Sequence, residues 1–200
     1  MSEVLSIGEW STNAQLIADV ARLGYLDGTV LDATYGEGGF WKVWRPEGLI
    51  TNDLYKPAMW REDYRDFPPW VGGFDAVVFD PPYKLNGTPA LGEQDDRYGT
   101  NRRTSRDEVM EDIRLGAIEC YRVCRRNLLV KCMDQVEGGQ MRWQTDMVSE
   151  TIKALGGRKV TRFDIPTAGR PQPPGRRQLT PRMKHSTLLI FEKRPRGTTV

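Results

Sequence analysis

Phe74-Asp75-Ala76-Val77-Val78-Phe79-Asp80-Pro81-Pro82-Tyr83 is an apolar, β-branched and aromatic run that stops abruptly at a carboxylate and two prolines. Residues 74–79 have the length and composition of a buried strand closed by a turn signal. Proline fixes φ and pushes its predecessor toward extended geometry, so Asp80 and Pro81 are held stiffly with their carbonyls free to accept. One carboxylate, one free carbonyl and one flat ring at the end of a strand make a receptor for an amino group on a planar heterocycle.

Outward from this stretch the chain alternates helix and strand. Thr12 opens a helix with Gln15 at the capping-box spacing, and Leu16, Ile17, Val20 and Leu23 share a face before Gly24 stops it. Strands are predicted at 29–31, 49–51, 62–67, 74–79, 127–132, 158–164 and 186–192. Helices are predicted at 40–44, 107–124 and 144–155. Strands interleaved with helices require a mostly parallel sheet, here seven-stranded, with helices on both faces. The final two strands have no helix between them and form an antiparallel pair at one edge. Trp41, Trp44, Trp60 and Trp70 are assigned to packing. The chain is expected to be a single domain over residues 1–200.

In open α/β sheets ligands gather beyond the carboxyl ends of the strands, near the switch in strand order. The distinctive residues lie at such ends: Asp32-Ala33-Thr34-Tyr35-Gly36-Glu37-Gly38-Gly39-Phe40 after the first strand, Asp53 after the second, and Asp80 after the fourth. The glycines permit a tight turn and close approach to a ligand. A dinucleotide fingerprint would need glycine where Trp41 stands, and Glu37 would repel a phosphate. A zwitterionic sulfonium cofactor meets no such objection, because Asp32 and Glu37 face its positive groups and Asp53 can accept from both ribose hydroxyls.

Composition sets the remaining bounds. Charged residues make up 28% and hydrophobic residues 38%, ordinary for a globular chain. No run approaches the roughly 20 apolar residues of a membrane span, and no leader pattern opens the sequence. Three cysteines, an odd number without finger spacing, favour a reducing cytoplasm and no metal. Net charge is +2, yet residues 157–200 carry 11 basic and 2 acidic side chains, leaving 18 basic and 25 acidic in residues 1–156. Such asymmetry points to a polyanion at the basic end.

The chain resembles the Rossmann-like S-adenosylmethionine-dependent methyltransferases that modify amino groups of DNA bases. The resemblance is carried by Leu31 to Gly39 as the cofactor loop, Asn52-Asp53-Leu54 as the ribose acid, and Asp80-Pro81-Pro82-Tyr83 as the catalytic turn. It implies S-adenosylmethionine held by Asp32, Thr34, Tyr35, Gly36, Gly38, Asp53 and Leu54. Adenine N6 of DNA is the favoured target. N4 of cytosine and RNA bases stay open, because the Asp-x-Thr-x-Gly-x-Gly-Gly form also resembles ribosomal RNA cytosine-N4 methyltransferases. A cofactor-free nucleic-acid-binding module is a further alternative. Asp63 or Asp66 would meet the cofactor's adenine amino group.

In the implied chemistry Asp80 and the Pro81 carbonyl orient the two amino hydrogens, so that the nitrogen lone pair leaves the ring plane. Tyr83 stacks on a base swung out of its duplex. Two loops are predicted to touch substrate. Residues 84–106 include Arg102 and Arg103. Residues 166–185 include Arg170, Arg176, Arg177, Arg182 and Lys184, five basic groups without an acid, suited to gripping phosphates. His185 is read as structural. DNA is the expected partner, with RNA the alternative, no membrane, and a monomer or homodimer as the acting form.

Overall fold

The computed structural model describes residues 10–85, 105–137, 139–167 and 180–193. Helix α1 (Asn13–Arg22) forms as its capping box requires: Thr12 Oγ1 accepts from the Gln15 N–H at 3.2 Å, and Gln15 Oε1 accepts from the Thr12 N–H at 3.1 Å. Strands β1 (Val30–Asp32), β2 (Leu49–Thr51), β3 (Phe74–Phe79) and β4 (Cys124–Cys132) follow, with helix α2 (Arg106–Val123) between the last two. A short hairpin, β5 (Gln135–Glu137) and β6 (Gln140–Arg142), precedes helix α3 (Gln144–Ala154). Strands β7 (Arg158–Pro166) and β8 (His185–Glu192) close the fold.

The main sheet runs β2-β1-β3-β4-β8-β7, with the first four strands parallel and β8 antiparallel to both its neighbours. The expected antiparallel pair therefore stands at one edge, with the reversed strand second from the end. That placement follows burial. Residues 186–191 of β8 are buried throughout, whereas β7 is largely exposed or half-exposed, as suits an edge.

Successive side chains along each central strand enter opposite layers. Val30, Ala76, Val78, Leu129, Leu188 and Ile190 pack in the layer beneath α1, with Trp10, Leu16, Ile17 and Val20. Leu31, Val77, Phe79, Leu128, Val130, Leu189 and Phe191 pack in the other, with Ile113 and Ala117 of α2 and Val148 and Ile152 of α3. Helices thus cover both faces.

Four differences from the sequence expectation stand out. The sheet has six strands among the described residues, because 62–67 form none. The chain after β2 makes only one bridge, Asn52 to Trp60. It is then diverted, because Asp63 Oδ1 accepts from the Arg65 N–H at 2.9 Å and replaces a ladder bond with a local turn. The predicted helix 40–44 is a single 3-10 turn, Gly39–Trp41. The hairpin β5–β6 was not anticipated, although Gly138-Gly139 is a hairpin signal. Trp70 is 66% exposed, while Trp41 is buried.

Gly116 of α2 crosses β3 so closely that a Cβ there would sit 2.4 Å from Phe79 Cζ and 2.7 Å from Tyr64 Cδ2. Alanine raises helix propensity by about 1 kcal/mol over glycine, but overpacking a core costs about 1–3 kcal/mol. Gly116→Ala is therefore expected to lower the urea midpoint; a raised midpoint would mean that α2 and β3 are not packed this tightly.

Candidate functional site

The carboxyl ends of β1, β2 and β3 open into a cavity of about 950 Å³, at the place where strand order switches from β2-β1 to β3-β4. Register brings these ends together. Asp32 pairs with Thr51 on one side and Val78 on the other, and the ladder continues as the Ala33 N–H donates to Val78 O at 2.9 Å. The turn beyond β1 is then pinned at three points. The Tyr35 N–H donates to Asn52 O at 2.9 Å, the Gly36 N–H to Asp53 Oδ2 at 2.8 Å, and the Gly38 N–H to Tyr35 O at 2.9 Å. Gly36 and Gly38 lie at φ +58° and +69°, the left-handed region that glycine enters without strain. At Gly38 a Cβ would also press on the Tyr35 hydroxyl at 2.6 Å.

Asn52 is wholly buried and braces the site. Its amide nitrogen donates to Ala33 O at 3.1 Å and Glu62 O at 3.0 Å, while its oxygen accepts from the Glu62 N–H at 2.8 Å. This side chain substitutes for the missing strand.

Asp32 lines the cavity floor, and both its oxygens are engaged within the protein. Oδ2 accepts from Trp41 Nε1 at 2.6 Å and Oδ1 from the Thr34 N–H at 3.0 Å. Burial pushes its pKa up to about 7; the two hydrogen bonds oppose the rise, and the Asp80 and Asp53 charges add to it. Asp53 is held by three backbone donors, with Tyr55 and Lys56 N–H on Oδ1 at 2.8 and 2.7 Å beside Gly36 on Oδ2. A carboxylate offers about four acceptor sites, so Asp53 keeps room for one further hydroxyl donor, not two.

Asp80 reaches the cavity directly after β3. Its N–H donates to Thr34 Oγ1 at 2.8 Å, which ties the aspartate-proline turn to the glycine turn. Its Oδ1 is shut off from solvent and has no hydrogen-bond partner among the described residues. Desolvation raises the Asp80 pKa, and the positive charge of Lys131 works against the rise. Pro82 lines the cavity, whereas Pro81 is buried outside its lining. The Tyr83 ring packs against the α2–α3 layer and does not line the cavity. Its carbonyl accepts from Gln135 Nε2 and Gln144 Nε2, each at 2.7 Å. The unanticipated hairpin and the start of α3 thus set the path on which the chain leaves the turn. Sequence reasoning passed over both glutamines, which carry no spacing signal of their own.

Thr34, Tyr35, Gly36 and Leu54 line the cavity, while Gly38 shapes the turn without lining it. Asp63 lines it and Asp66 does not; Asp63 is chelated by the Arg65 guanidinium, which also reaches Asp112 at 2.9 Å. Seven carboxylates and two cations face the cavity, a balance that repels phosphate and attracts a cation. Of the predicted phosphate-gripping residues, Arg102, Arg103, Arg170, Arg176 and Arg177 lie outside the described residues. Most of the two predicted loops, 84–106 and 166–185, lies there too. Arg182 and Lys184 are exposed on the approach to β8, away from the cavity lining. His185 Nε2 lies 3.9 Å from Asp164 Oδ1 and is likewise remote from that lining.

No protein-family model and no curated protein matches this sequence. Solved structures do resemble it. The magnesium protoporphyrin IX methyltransferase of Synechocystis with bound SAH is 12% identical, with 91% of this chain and 81% of that one covered at a TM-score of 0.52. The glycopeptide N-methyltransferase MtfA, complexed with S-adenosyl-L-methionine, is 11% identical over 98% and 100% of the two chains, TM-score 0.51. A putative RNA methyltransferase from Pyrococcus horikoshii is 14% identical over 90% and 82%, TM-score 0.50. At these identities the likeness establishes the Rossmann-like methyltransferase fold. No described helix is long and apolar enough to cross a membrane.

Asp32 makes stability depend on pH in an unusual direction. Its folded pKa of about 7 lies above the ordinary 3.8 of an aspartate, so the folded state binds the extra proton between those values. Its contribution is fully present below about pH 4 and is lost as pH rises toward 7, at up to about 1.4 kcal/mol per pH unit. Asp32→Asn is expected to flatten that slope in cofactor-free thermal melts; parallel wild-type and variant curves would refute the assignment.

Proposed function

We propose that this protein is an S-adenosylmethionine-dependent methyltransferase acting on an exocyclic amino group of a nucleic-acid base, with adenine N6 of DNA the favoured target. One observation carries the reading. Asp80 presents a desolvated carboxylate oxygen that accepts no hydrogen bond from the described residues, on the wall of the same cavity that holds the glycine turn and Asp53. A buried acceptor left open is costly unless a ligand supplies its donor.

The residues fit such a cofactor. A cavity of about 950 Å³ is within the range of small-molecule sites, and its carboxylate excess suits a ligand bearing sulfonium and ammonium charges. Thr34, Tyr35, Gly36 and Gly38 shape the turn against which it lies. Asp53 receives a ribose hydroxyl and Leu54 offers an apolar face to the adenine, while Asp63, its acceptor positions taken by Arg65, borders the site. S-adenosylmethionine supplies an electrophilic methyl group when bound.

The chain's own part is orientation and proton handling. Asp80 accepts a hydrogen from the target amino group and turns its nitrogen lone pair out of the ring plane. Positive charge growing on that nitrogen is met by the Asp80 carboxylate in a water-poor site, where electrostatics are strong. The raised pKa of Asp80 makes it a better acceptor for the proton the nitrogen must shed.

Support for a nucleic-acid substrate comes from the +9 balance of residues 157–200, with Arg182 and Lys184 exposed among the described part. The acidic cavity admits a base while its phosphates stay outside on the basic segments. RNA is the second reading, favoured by the Asp32-x-Thr34-x-Gly36-x-Gly38-Gly39 loop and by the fold shared with the putative RNA methyltransferase. Cytosine N4 is the alternative on DNA, and the acting form is a monomer or homodimer.

Calorimetry with S-adenosylmethionine, then nucleoside mass spectrometry of DNA and RNA incubated with enzyme and cofactor, tests the proposal. N6-methyldeoxyadenosine is expected, with Asp80→Ala lowering its rate about 10²–10³-fold while cofactor affinity is kept. Undiminished transfer by Asp80→Ala removes the mechanism. Salt-dependent DNA binding without cofactor heat would make the protein a binding module instead.

A further inference from the structure

Lys131 is 1% exposed, an uncommon position for a lysine in the middle of a fold. The β3–β4 register explains where it points. Phe79 pairs with Val130 in the last recorded pair of the parallel β3–β4 ladder, and Asp80 and Lys131 are the next residues on the two chains. Phe79 and Val130 both enter the α2–α3 layer, so by alternation the next residue of each strand turns to the α1 side. There Lys131 Nζ donates to Asn13 Oδ1 at 2.6 Å and lies 5.6 Å from the centroid of the Phe40 ring. Asn13, Phe40 and Asp80 all line the cavity. The lysine is therefore a fixed cation behind the cavity wall, held by two lining residues, and the Oδ1 of the lining carboxylate Asp80 has no hydrogen-bond partner among the described residues.

We propose that Lys131 is the buried counter-ion of Asp80, a positioning residue whose ammonium, fixed by Asn13 and Phe40, keeps the Asp80 carboxylate charged and aimed into the cavity. An ammonium out of water is costly and persists only with compensating partners. One amide oxygen and one ring face do not neutralise it, and Asp80 is the carboxylate that register brings alongside. The groups facing the pair are few. Asp32 is the anion on the next strand, Cys132 the thiol after Lys131, and Thr34 the hydroxyl on the Asp80 backbone. Burial lowers the Lys131 pKa and the Asp80 charge raises it; burial raises the Asp80 pKa and the Lys131 charge lowers it. The two charges are thus reciprocally coupled. Removing one should release the other toward its neutral form.

The inference rests on reading Asp80 as the amino-group acceptor, but the coupling is measured in cofactor-free protein, so the two can fail separately. The Asp80 carboxyl is followed by carbon NMR against pH in wild type and Lys131→Met, its signal assigned by its absence from Asp80→Asn. The midpoint is expected about 1–3 pH units higher in Lys131→Met, the effect of losing a nearby opposite charge. An unchanged midpoint overturns the proposal. Should Lys131→Met not fold, Asp80→Asn reports from the other side: the nitrogen resonance of the Lys131 ammonium should then titrate at lower pH than in wild type, and an equal midpoint overturns the pairing. A shifted midpoint in a protein that methylates nothing supports the pair and overturns only the activity.

Discussion

The hydrogen bond from the Asp80 N–H to the Thr34 hydroxyl, 2.8 Å long, joins the two turns on which the site is built. It can form only because β1 and β3 are parallel neighbours in a register that sets Asp32 beside Val78 and continues through the Ala33 N–H to Val78 O bond. A slip of one residue would send every side chain of a strand to the opposite layer, so burial of Leu31, Val77 and Phe79 on one side and Val30, Ala76 and Val78 on the other locks that register. The hydrophobic core thereby sets the separation of the glycine turn and the aspartate. Chemistry at the strand ends inherits its precision from packing in the strand centres.

The site concentrates buried charge where a fold optimised for stability alone would place none. Asp32, Asp80 and Lys131 stand at the ends of three adjacent strands on the α1 side, and each is displaced from its ordinary titration range by burial. Asp32 is answered by Trp41 and Thr34, and Lys131 by Asn13. Asp80 Oδ1 accepts no hydrogen bond among the described residues. Such incomplete satisfaction is tolerated where a ligand completes it. The outer supports behave differently. Asn52, Gln135 and Gln144 direct their amides to main-chain atoms, and their work is to hold loops still.

Much of this was legible beforehand. The capping box at Thr12 and Gln15, the apolar run 74–79 and the order of Asp32, Asp53 and Asp80 each follow from local rules of periodicity, capping and turn chemistry, and the elements formed where those rules put them. The failures share a different cause. Residues 62–67 have strand-like fragments, but Asp63 prefers its own local turn and Asn52 fills the vacant ladder position with a side chain. Tyr83 too is placed by distant partners, its ring against the α2–α3 layer and its carbonyl held by the hairpin and α3, a placement that leaves the stacking expectation untested. Each outcome was a competition between a local preference and a partner distant in the chain.

The sequence by itself determined the alternation of helix and strand, the turn at Asp80-Pro81-Pro82-Tyr83, and the clustering of acidic and glycine residues at the strand ends, because these depend on neighbours a few residues apart. Only the tertiary structure decided that Asp53 has one acceptor site to spare, that Trp41 binds Asp32, and that Lys131 is buried with Asn13, 118 residues away, as its hydrogen-bond partner. Those facts arise from strand register and from the exclusion of water. Both are properties of the assembled sheet, and no short window of residues contains them.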